Sequence, residues 1–424
     1  MDSMSNSNEG DPDPLTGLLS DSDRAAIRAP IEEARTFPQH AYWSPSFFQL
    51  EIERLFSRNW VAIGFGSSLP QPGDMAPLEI FGFPICLVRG ADKKLRVFHN
   101  IGAHDACTVI QERQTAATDI VGPYHGWRYD LTGRLVAAPY WDGTPDPDVN
   151  NLRERGGDLK EIRSQLWQDI VFMDLSGTCD CLESYLAPVI TLFEDHELDS
   201  FQLAFDAPDG DGIQRRAPQA NWKSLWENYA VNVLHAGFVH EQYRRSPDMP
   251  MVDEKACKTF EEVNDGILKG LGFPTASVTG AYPSGPAGEL PKMLRKSDGL
   301  PIDNSYILNI YPNLCLLVFP TKIRIGILVP KSAEKSEWLI ASYFAGECAV
   351  SSAFRELREQ SQAASLEAQR EDDLICEAVQ RARHSPAHRS FIHSPFWEAM
   401  HHDFNNMVLD DLERKGSGLS NTDL

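Results

Sequence analysis

Two histidines and one aspartate carry the most specific chemistry in this 424-residue sequence. The segment NWKSLWENYAVNVLHAGFVH, residues 221 to 240, ends with His235 and His240. The segment EAQREDDLICEAVQRA, residues 367 to 382, holds Asp372. Two imidazoles and one carboxylate make a three-ligand site for a divalent metal, of the kind that holds Fe(II) and leaves positions open for O2 and substrate. On an unbroken helix, residues five apart point about 140° from each other, since each residue turns about 100°. The pair can share a metal only where the helix ends or distorts, and Gly237 marks the expected place. Asp372 shares a helical stripe with Ala368, Ile375, Cys376 and Val379, while Glu371, Asp373 and Glu377 are expected to point elsewhere. A lone carboxylate on an apolar stripe is costly unless it is paired or metal-bound. Spacing alone also accommodates a surface-and-core histidine pair and a hydrogen-bonded structural aspartate.

Several elements must position these groups. Residues 44 to 58 read as a helix: Ser44 can cap it, Pro45 suits its first position, and Phe48, Ile52, Leu55 and Phe56 make one apolar face. From Trp60 the pattern shortens to WVAIGF, PLEIFGFPICLVRG and KLRVFHN, which suits a small antiparallel β domain. LWQDIVFMDLSG, 166 to 177, reads as its closing strand. Beyond about residue 179, SYILNIYPNLCLLVFP, KIRIGILVP and WLIASYFAGE read as strands, with long helices near 219 to 236 and 351 to 383. Segment 241 to 304 is rich in Gly, Pro and Ser and reads as a long loop covering a site.

The stretch IGAHDACTVIQERQTAATDIVGPYHGWRYDLTGRL, 101 to 135, resembles a Rieske motif, in which C-x-H and C-x-x-H pairs hold a [2Fe–2S] cluster. His104 and His125 stand in the histidine places, but Gly102 and Gly122 stand in the cysteine places. Glycine offers no ligand, so no cluster is expected. His104, Cys107 and His125 remain a possible mononuclear metal set without a clear fourth ligand. Cys179 and Cys181 form a C-x-C pair that is a weak metal signal.

The chain from Pro30 to Glu413 resembles the large subunit of Rieske-type non-haem iron, aromatic-ring-hydroxylating oxygenases, in the branch of choline, glycine betaine and carnitine monooxygenases. PIEEARTFPQHAYWSPSFFQLEIERLFSRNWV, GPYHGWRYDLTGRL, NWKSLWENYAVNVLHAGFVH and EDDLICEAVQRA carry the resemblance, in the family's order. It implies an α+β chain: a small antiparallel β Rieske-like domain and a helix-grip-type catalytic domain with an antiparallel sheet and long helices. The implied division is an acidic, disordered tail at 1–28, a helical segment at 29–58, the Rieske-like domain at 59–178 and the catalytic domain at 179–424. The resemblance implies His235, His240 and Asp372 as iron ligands and Asn228 beside the iron. It also implies a trimer in which a cluster in one subunit feeds iron in the next through an acidic residue, whose place here is held by Asn232. Tyr311 and Phe319 fall on pocket-forming strands by the same analogy.

A net charge of -22 disfavours nucleic acid as a partner. No apolar run approaches a membrane span, and the N-terminus lacks a secretory pattern, so a cytoplasmic protein is expected. The expected function is O2-dependent oxidation of a small organic substrate, such as a quaternary ammonium or amine, at Fe(II). Electrons would come from the substrate, from a ferredoxin and reductase, or from a cluster-bearing homologue. The alternative is a non-catalytic or regulatory subunit in a mixed oligomer with an intact Rieske oxygenase.

Overall fold

The computed structural model describes residues 13–204, 210–241, 260–274 and 294–414. Strands within them pair antiparallel. No described helix is long and apolar enough to cross a membrane.

The chain is ordered earlier than expected. Residues 14–28 were expected in a disordered tail, yet they form the helices Pro14–Leu18 and Asp21–Arg28. Asp13 caps the first, with Leu15 N donating to its Oδ1 at 2.9 Å. Ser20 and Asp23 form a reciprocal capping box on the second. Leu15, Leu19 and Ile27 are buried, so caps and three anchors override the polar composition. Residues 1–12 of that tail lie outside the described residues. The helix Pro45–Arg54 begins at Ser44 as its sequence implies, and a 3-10 turn, Phe56–Arg58, completes the segment.

The first sheet runs in the order Val61–Phe65, Ile170–Asp174, Glu161–Trp167, Leu95–His99, Phe83–Arg89, Met75–Ile80. The stretch expected as the closing strand, 166 to 177, does hold a strand, Ile170–Asp174, but it opens on the end of Glu161–Trp167 and a hairpin turn at Gln168 with φ +53°. The next residue, Asp169, holds the turn by accepting from Ser67 N at 2.6 Å. A three-stranded sheet, Ile120–Val121, Arg128–Tyr129 and Leu135–Ala137, sits on a separate small core that includes Phe98, Trp127 and Tyr129.

The larger sheet runs Phe201–Leu203, Lys335–Ala345, Ile323–Ser332, Leu314–Val318, Asn304–Ile310, Leu268–Pro274, Glu261–Asp265, with Ile213–Arg216 also paired to Lys335–Ala345. Its last two strands correct the expected 241–304 loop; residues 242–259 and 275–293 lie outside the described residues. Two of the glycines that suggested a loop, Gly270 and Gly272, lie in the strand Leu268–Pro274. A Cβ at Gly270 would lie 2.2 Å from Ile307 O on the neighbouring strand, so only glycine allows this approach. Helices Arg355–Ala382 and Ala399–Glu413 complete the domain.

A buried ion pair joins the N-terminal segment to the helix that opens the histidine segment. Lys223 and Glu51 are fully buried. The Lys223 ammonium contacts Glu51 Oε1 and donates to Ala41 O at 2.9 Å, while Trp222 Nε1 donates to Glu51 Oε2 at 3.0 Å. Burial pushes both groups toward neutrality, Glu51 up and Lys223 down; their mutual contacts oppose it, helped by Trp222 on Glu51 and by Glu227 on Lys223. Lys223→Met strands Glu51 and should cost about 3 kcal/mol, while adding Glu51→Leu should recover much of the loss. Guanidinium denaturation of both variants checks this; an unchanged midpoint in Lys223→Met would refute the role given to the pair.

Candidate metal centre

The histidine segment is built around a helix that changes its winding. Asn221 caps it, accepting from Lys223 N at 2.9 Å, and Trp222–Trp226 is buried α-helix. Glu227–Val231 then widens into a π turn. Widening frees backbone groups, and buried ones need partners. Asn309 Nδ2 takes Trp226 O at 2.7 Å. The Glu227 carboxylate accepts from Tyr42 Oη at 2.8 Å and faces His401 Nε2 at 3.2 Å and Arg383 Nη2 at 3.5 Å. Burial alone would raise Glu227, but His401 and Arg383 outweigh it and hold its pKa low. Burial would likewise lower His401, yet the Glu227 and Glu398 carboxylates lift it to about 9.

The helix ends at Asn232, with φ -114° and ψ 71°. Val233–His235 is one 3-10 turn, Ala236–Val239 is one helical turn, and His240 leaves it at φ -84°, ψ 115°. The distortion that turns the two histidines toward each other thus sits at His240, while the break at Asn232 places the pair as a whole. Gly237, the expected place, lies inside the intervening turn.

Both rings turn one nitrogen toward Asp372. His235 Nδ1 bonds Asn232 O, and its Nε2 lies 3.2 Å from Asp372 Oδ1. His240 Nδ1 bonds Glu371 Oε2 at 2.9 Å, and its Nε2 lies 3.5 Å from the same Asp372 oxygen. With the outer nitrogens donating, both Nε2 lone pairs are presented inward. Asp372 Oδ1 is buried and has no hydrogen-bond partner among the described residues. Two inward imidazole nitrogens around an orphaned carboxylate oxygen fit a divalent metal, and the three ligand atoms lie within 4.8 Å of one another. Burial would lower His235, but Asp372 and the Asn232 carbonyl outweigh it, so its pKa is raised.

The neighbours of Asp372 differ from expectation. Glu371 does not point away; it orients His240 and accepts from Glu241 N at 3.2 Å. The acidic run EDD was the available signal, since a carboxylate beside a ligand is the usual partner of a ligand histidine. Asp373 pairs with Arg216, and Glu377 accepts from Gln219 N at 2.9 Å. The stripe around Asp372 is only partly buried: Cys376 is enclosed, but Ile375 and Val379 are each 40% exposed. Asn228 lines a narrow pocket beside Asp372, together with Tyr229, Trp338, Gln369, Arg216 and Arg324. Tyr311 and Phe319 do not line it; Tyr311 is buried elsewhere, with its hydroxyl donating to Asp411 Oδ2 at 2.6 Å. The cavity's aromatic surfaces are Tyr229 and Trp338.

The loops at 102 and 122 share one backbone pattern. Gly102 N donates to Cys107 O at 2.8 Å and Ala106 N to Gly102 O at 3.0 Å, with Ala106 at φ +54°. Gly122 N donates to Trp127 O at 2.8 Å and Gly126 N to Gly122 O at 3.1 Å, with Gly126 at φ +71°. The loops face each other, the rings of His104 and His125 4.7 Å apart, across a cavity of about 230 Å³. His125 Nδ1 lies 2.9 Å from Asp105 Oδ2, and His104 stacks on Trp127 at 5.3 Å. A Cβ at Gly102 would lie 2.6 Å from Asp105 Oδ1. Among the described residues, three possible ligands converge at His235, His240 and Asp372 and at His393, Glu398 and His401. His104, Cys107 and His125 are not such a group, nor are Cys179 and Cys181 part of one.

Two family models match the chain. Residues 59–150 match the Rieske [2Fe-2S] domain and residues 205–414 match the ring hydroxylating alpha subunit (catalytic domain). Choline monooxygenase, chloroplastic, of Amaranthus tricolor is 24% identical over 386 residues, covering 88% of this chain and 77% of that protein. The carnitine monooxygenase oxygenase subunit of Acinetobacter pittii (strain PHEA-2) is 27% identical over 213 residues, covering 50% of this chain and 54% of that protein. The crystal structure of the quaternary ammonium Rieske monooxygenase CntA in complex with substrate gamma-butyrobetaine superposes with a TM-score of 0.70 at 20% identity, covering 92% of this chain and 98% of that one. The α+β arrangement expected from the sequence is therefore the one these relatives share.

Metal binding at this centre should be proton-coupled. Both histidines must be neutral to ligate, and His235 has a raised pKa, so affinity for a divalent ion should already fall as pH drops through values above 6.5, the ordinary histidine pKa. Asp372→Ala should abolish stoichiometric binding, and Glu371→Gln should weaken it by about 10–100-fold. Competition titration against a chelating dye from pH 6 to 8.5 measures both; pH-independent affinity would count against His235 as a ligand.

Proposed function

We propose that this chain, which belongs with the Rieske-type ring-hydroxylating oxygenase alpha subunits, oxidises a small organic substrate with O2 at Fe(II) and works without a [2Fe–2S] cluster of its own. The observation that carries this reading is the contrast between two centres in one chain: an orphaned Asp372 oxygen facing two inward imidazole nitrogens, and two loops with glycine at both thiolate positions.

His235, His240 and Asp372 hold the metal. Bound Fe(II) supplies the electron transfer that makes O2 reactive toward substrate. Asn232 O and Glu371 fix the histidine tautomers, and Asn228 offers an amide at the cavity wall beside Asp372. Tyr229 and Trp338 give that cavity aromatic faces, with ring centroids 5.8 Å apart, suited to an alkylammonium group. The relatives named for choline and carnitine support such a substrate.

The electron route departs from the family's. Gly102 and Gly122 provide no thiolate, and the Asp105 carboxylate engages His125 and crowds the place a side chain at 102 would take. Asn232, in the acidic bridge position, carries no charge to favour an imidazolium. Electrons then come from the substrate, from a ferredoxin and reductase, or from a cluster-bearing homologue within a trimeric assembly. A purely scaffolding subunit would have no use for the converged triad and its oriented histidines.

Iron and acid-labile sulfide analysis of the purified chain is the deciding measurement. About one iron per chain and no labile sulfide are expected, with no Rieske absorption. Oxygen consumption on adding candidate amines, with and without a ferredoxin and reductase, then separates the electron sources. Labile sulfide would overturn the cluster-free reading, and unchanged function in Asp372→Ala would overturn the iron enzyme.

A further inference from the structure

A second cluster of metal-ligand side chains lies where the helix Ala399–Glu413 begins, outside the centre at Asp372. An irregular segment, 383–398, links that helix to the helix Arg355–Ala382. It is tied to the N-terminal segment, with Phe391 N donating to Thr36 Oγ1 at 3.1 Å, and it places the His393 ring 4.8 Å from that of His401. Glu398, the residue before the helix, and His401 are three apart, a spacing that puts two side chains on one face. His401 Nδ1 lies 3.4 Å from Glu398 Oε1. One ligand atom from each of His393, Glu398 and His401 lies within 4.8 Å of the other two.

His393 is the telling member. It is 6% exposed, and both of its ring nitrogens are buried with no hydrogen-bond partner among the described residues. A buried imidazole with neither nitrogen met is costly. Burial, with His401 beside it, pushes its pKa down to about 4, so the ring is neutral and keeps a lone pair for a metal. A proton on His401 Nδ1 accounts for Glu398 but leaves His393 unmet. A divalent ion among the three accounts for all of them. Ligand atoms about 3.4 Å apart form the edges of a tetrahedron whose metal–ligand bonds are about 2.1 Å, and the His401–Glu398 distance already matches. The outer partners are in place as well. His401 Nε2 faces Glu227 Oε1 at 3.2 Å, and Glu398 Oε2 accepts from Ser394 N at 2.6 Å. A carboxylate behind a ligand imidazole fixes its tautomer and raises its basicity. His402 is not part of the group; its Nε2 lies 3.1 Å from Ile27 O.

We propose that His393, Glu398 and His401 form a second divalent-metal site, of the zinc type, that shares no ligand with the His235, His240 and Asp372 centre. Two imidazoles and a carboxylate suit zinc and leave a fourth position for water. The ion braces the fold: it pins segment 383–398 to the C-terminal helix and, through His401 and Glu227, to the π turn that precedes the other centre. The site does not depend on the oxidation proposed above.

Equilibrium dialysis of the full chain against zinc ions alone, followed by metal analysis, tests this in the Asp372→Ala background, where the other centre is removed. That chain should retain about one zinc. Adding His393→Ala should abolish the retention. Adding Glu398→Gln instead, which keeps the shape and an acceptor for Ser394 N, should weaken binding about tenfold or more, and it carries the comparison if the alanine variant does not fold. Zinc should also raise the thermal midpoint of Asp372→Ala and leave that of the form with His393→Ala unchanged, since an ion stabilises only the native state that binds it. Failure of Asp372→Ala to retain zinc, or retention undiminished by both added substitutions, would overturn the site. Zinc held by Asp372→Ala and lost on adding His393→Ala supports it whether or not the wild type oxidises any amine, so the two readings fail separately.

Discussion

The centre depends on a helix that stops being regular in a particular place. Continuous α-winding from Trp222 would aim His235 and His240 in different directions. The exit of His240 from its helical turn prevents this, while the π turn at Glu227–Val231 and the break at Asn232 place the pair as a whole; neither of these two is stable alone, because each withholds backbone groups from the normal ladder. The rest of the chain supplies what is missing. A strand offers Asn309 to the Trp226 carbonyl, the N-terminal segment offers Tyr42 to Glu227, and the two C-terminal helical regions offer Arg383 and His401. Sequence separations of 83 and 185 residues in the first two contacts explain why an ordered N-terminal segment belongs to the same core as the metal site.

Much of this was legible in the sequence, and the division follows the range of the forces involved. Ser44 and Pro45 announce their helix because capping is local, and the strand-forming runs from Asn304 to Ala345 announce theirs because alternation and β-branching are local too. The candidate ligands His235, His240 and Asp372 were legible from residue type, and the fold brings them together. What was hidden rests on partners far away. Glu371 reads as one more surface acid until His240 is placed against it. Gly270 reads as a loop residue until Ile307 is packed over it. The turn at Asn232 has no sequence signal of its own, whereas Gly237, which has the signal, needs no special conformation.

Charge is distributed by depth. The surface is strongly acidic, but Lys223, Lys322 and Arg324 are buried cations. Lys223 has a carboxylate, Lys322 has neutral oxygens and Arg324 has an amide.

The loops at 102 and 122 have a consequence of a different kind. Each is closed by backbone N–H to carbonyl bonds and by one positive φ, none of which involves a side chain at the two glycines. Their shape is therefore a property of the polypeptide, available as soon as translation and folding are complete. Under the cluster-free function proposed above, such a protein would mature without sulfur mobilisation, and its supply in the cell would be set by ribosomes and by access to a metal ion.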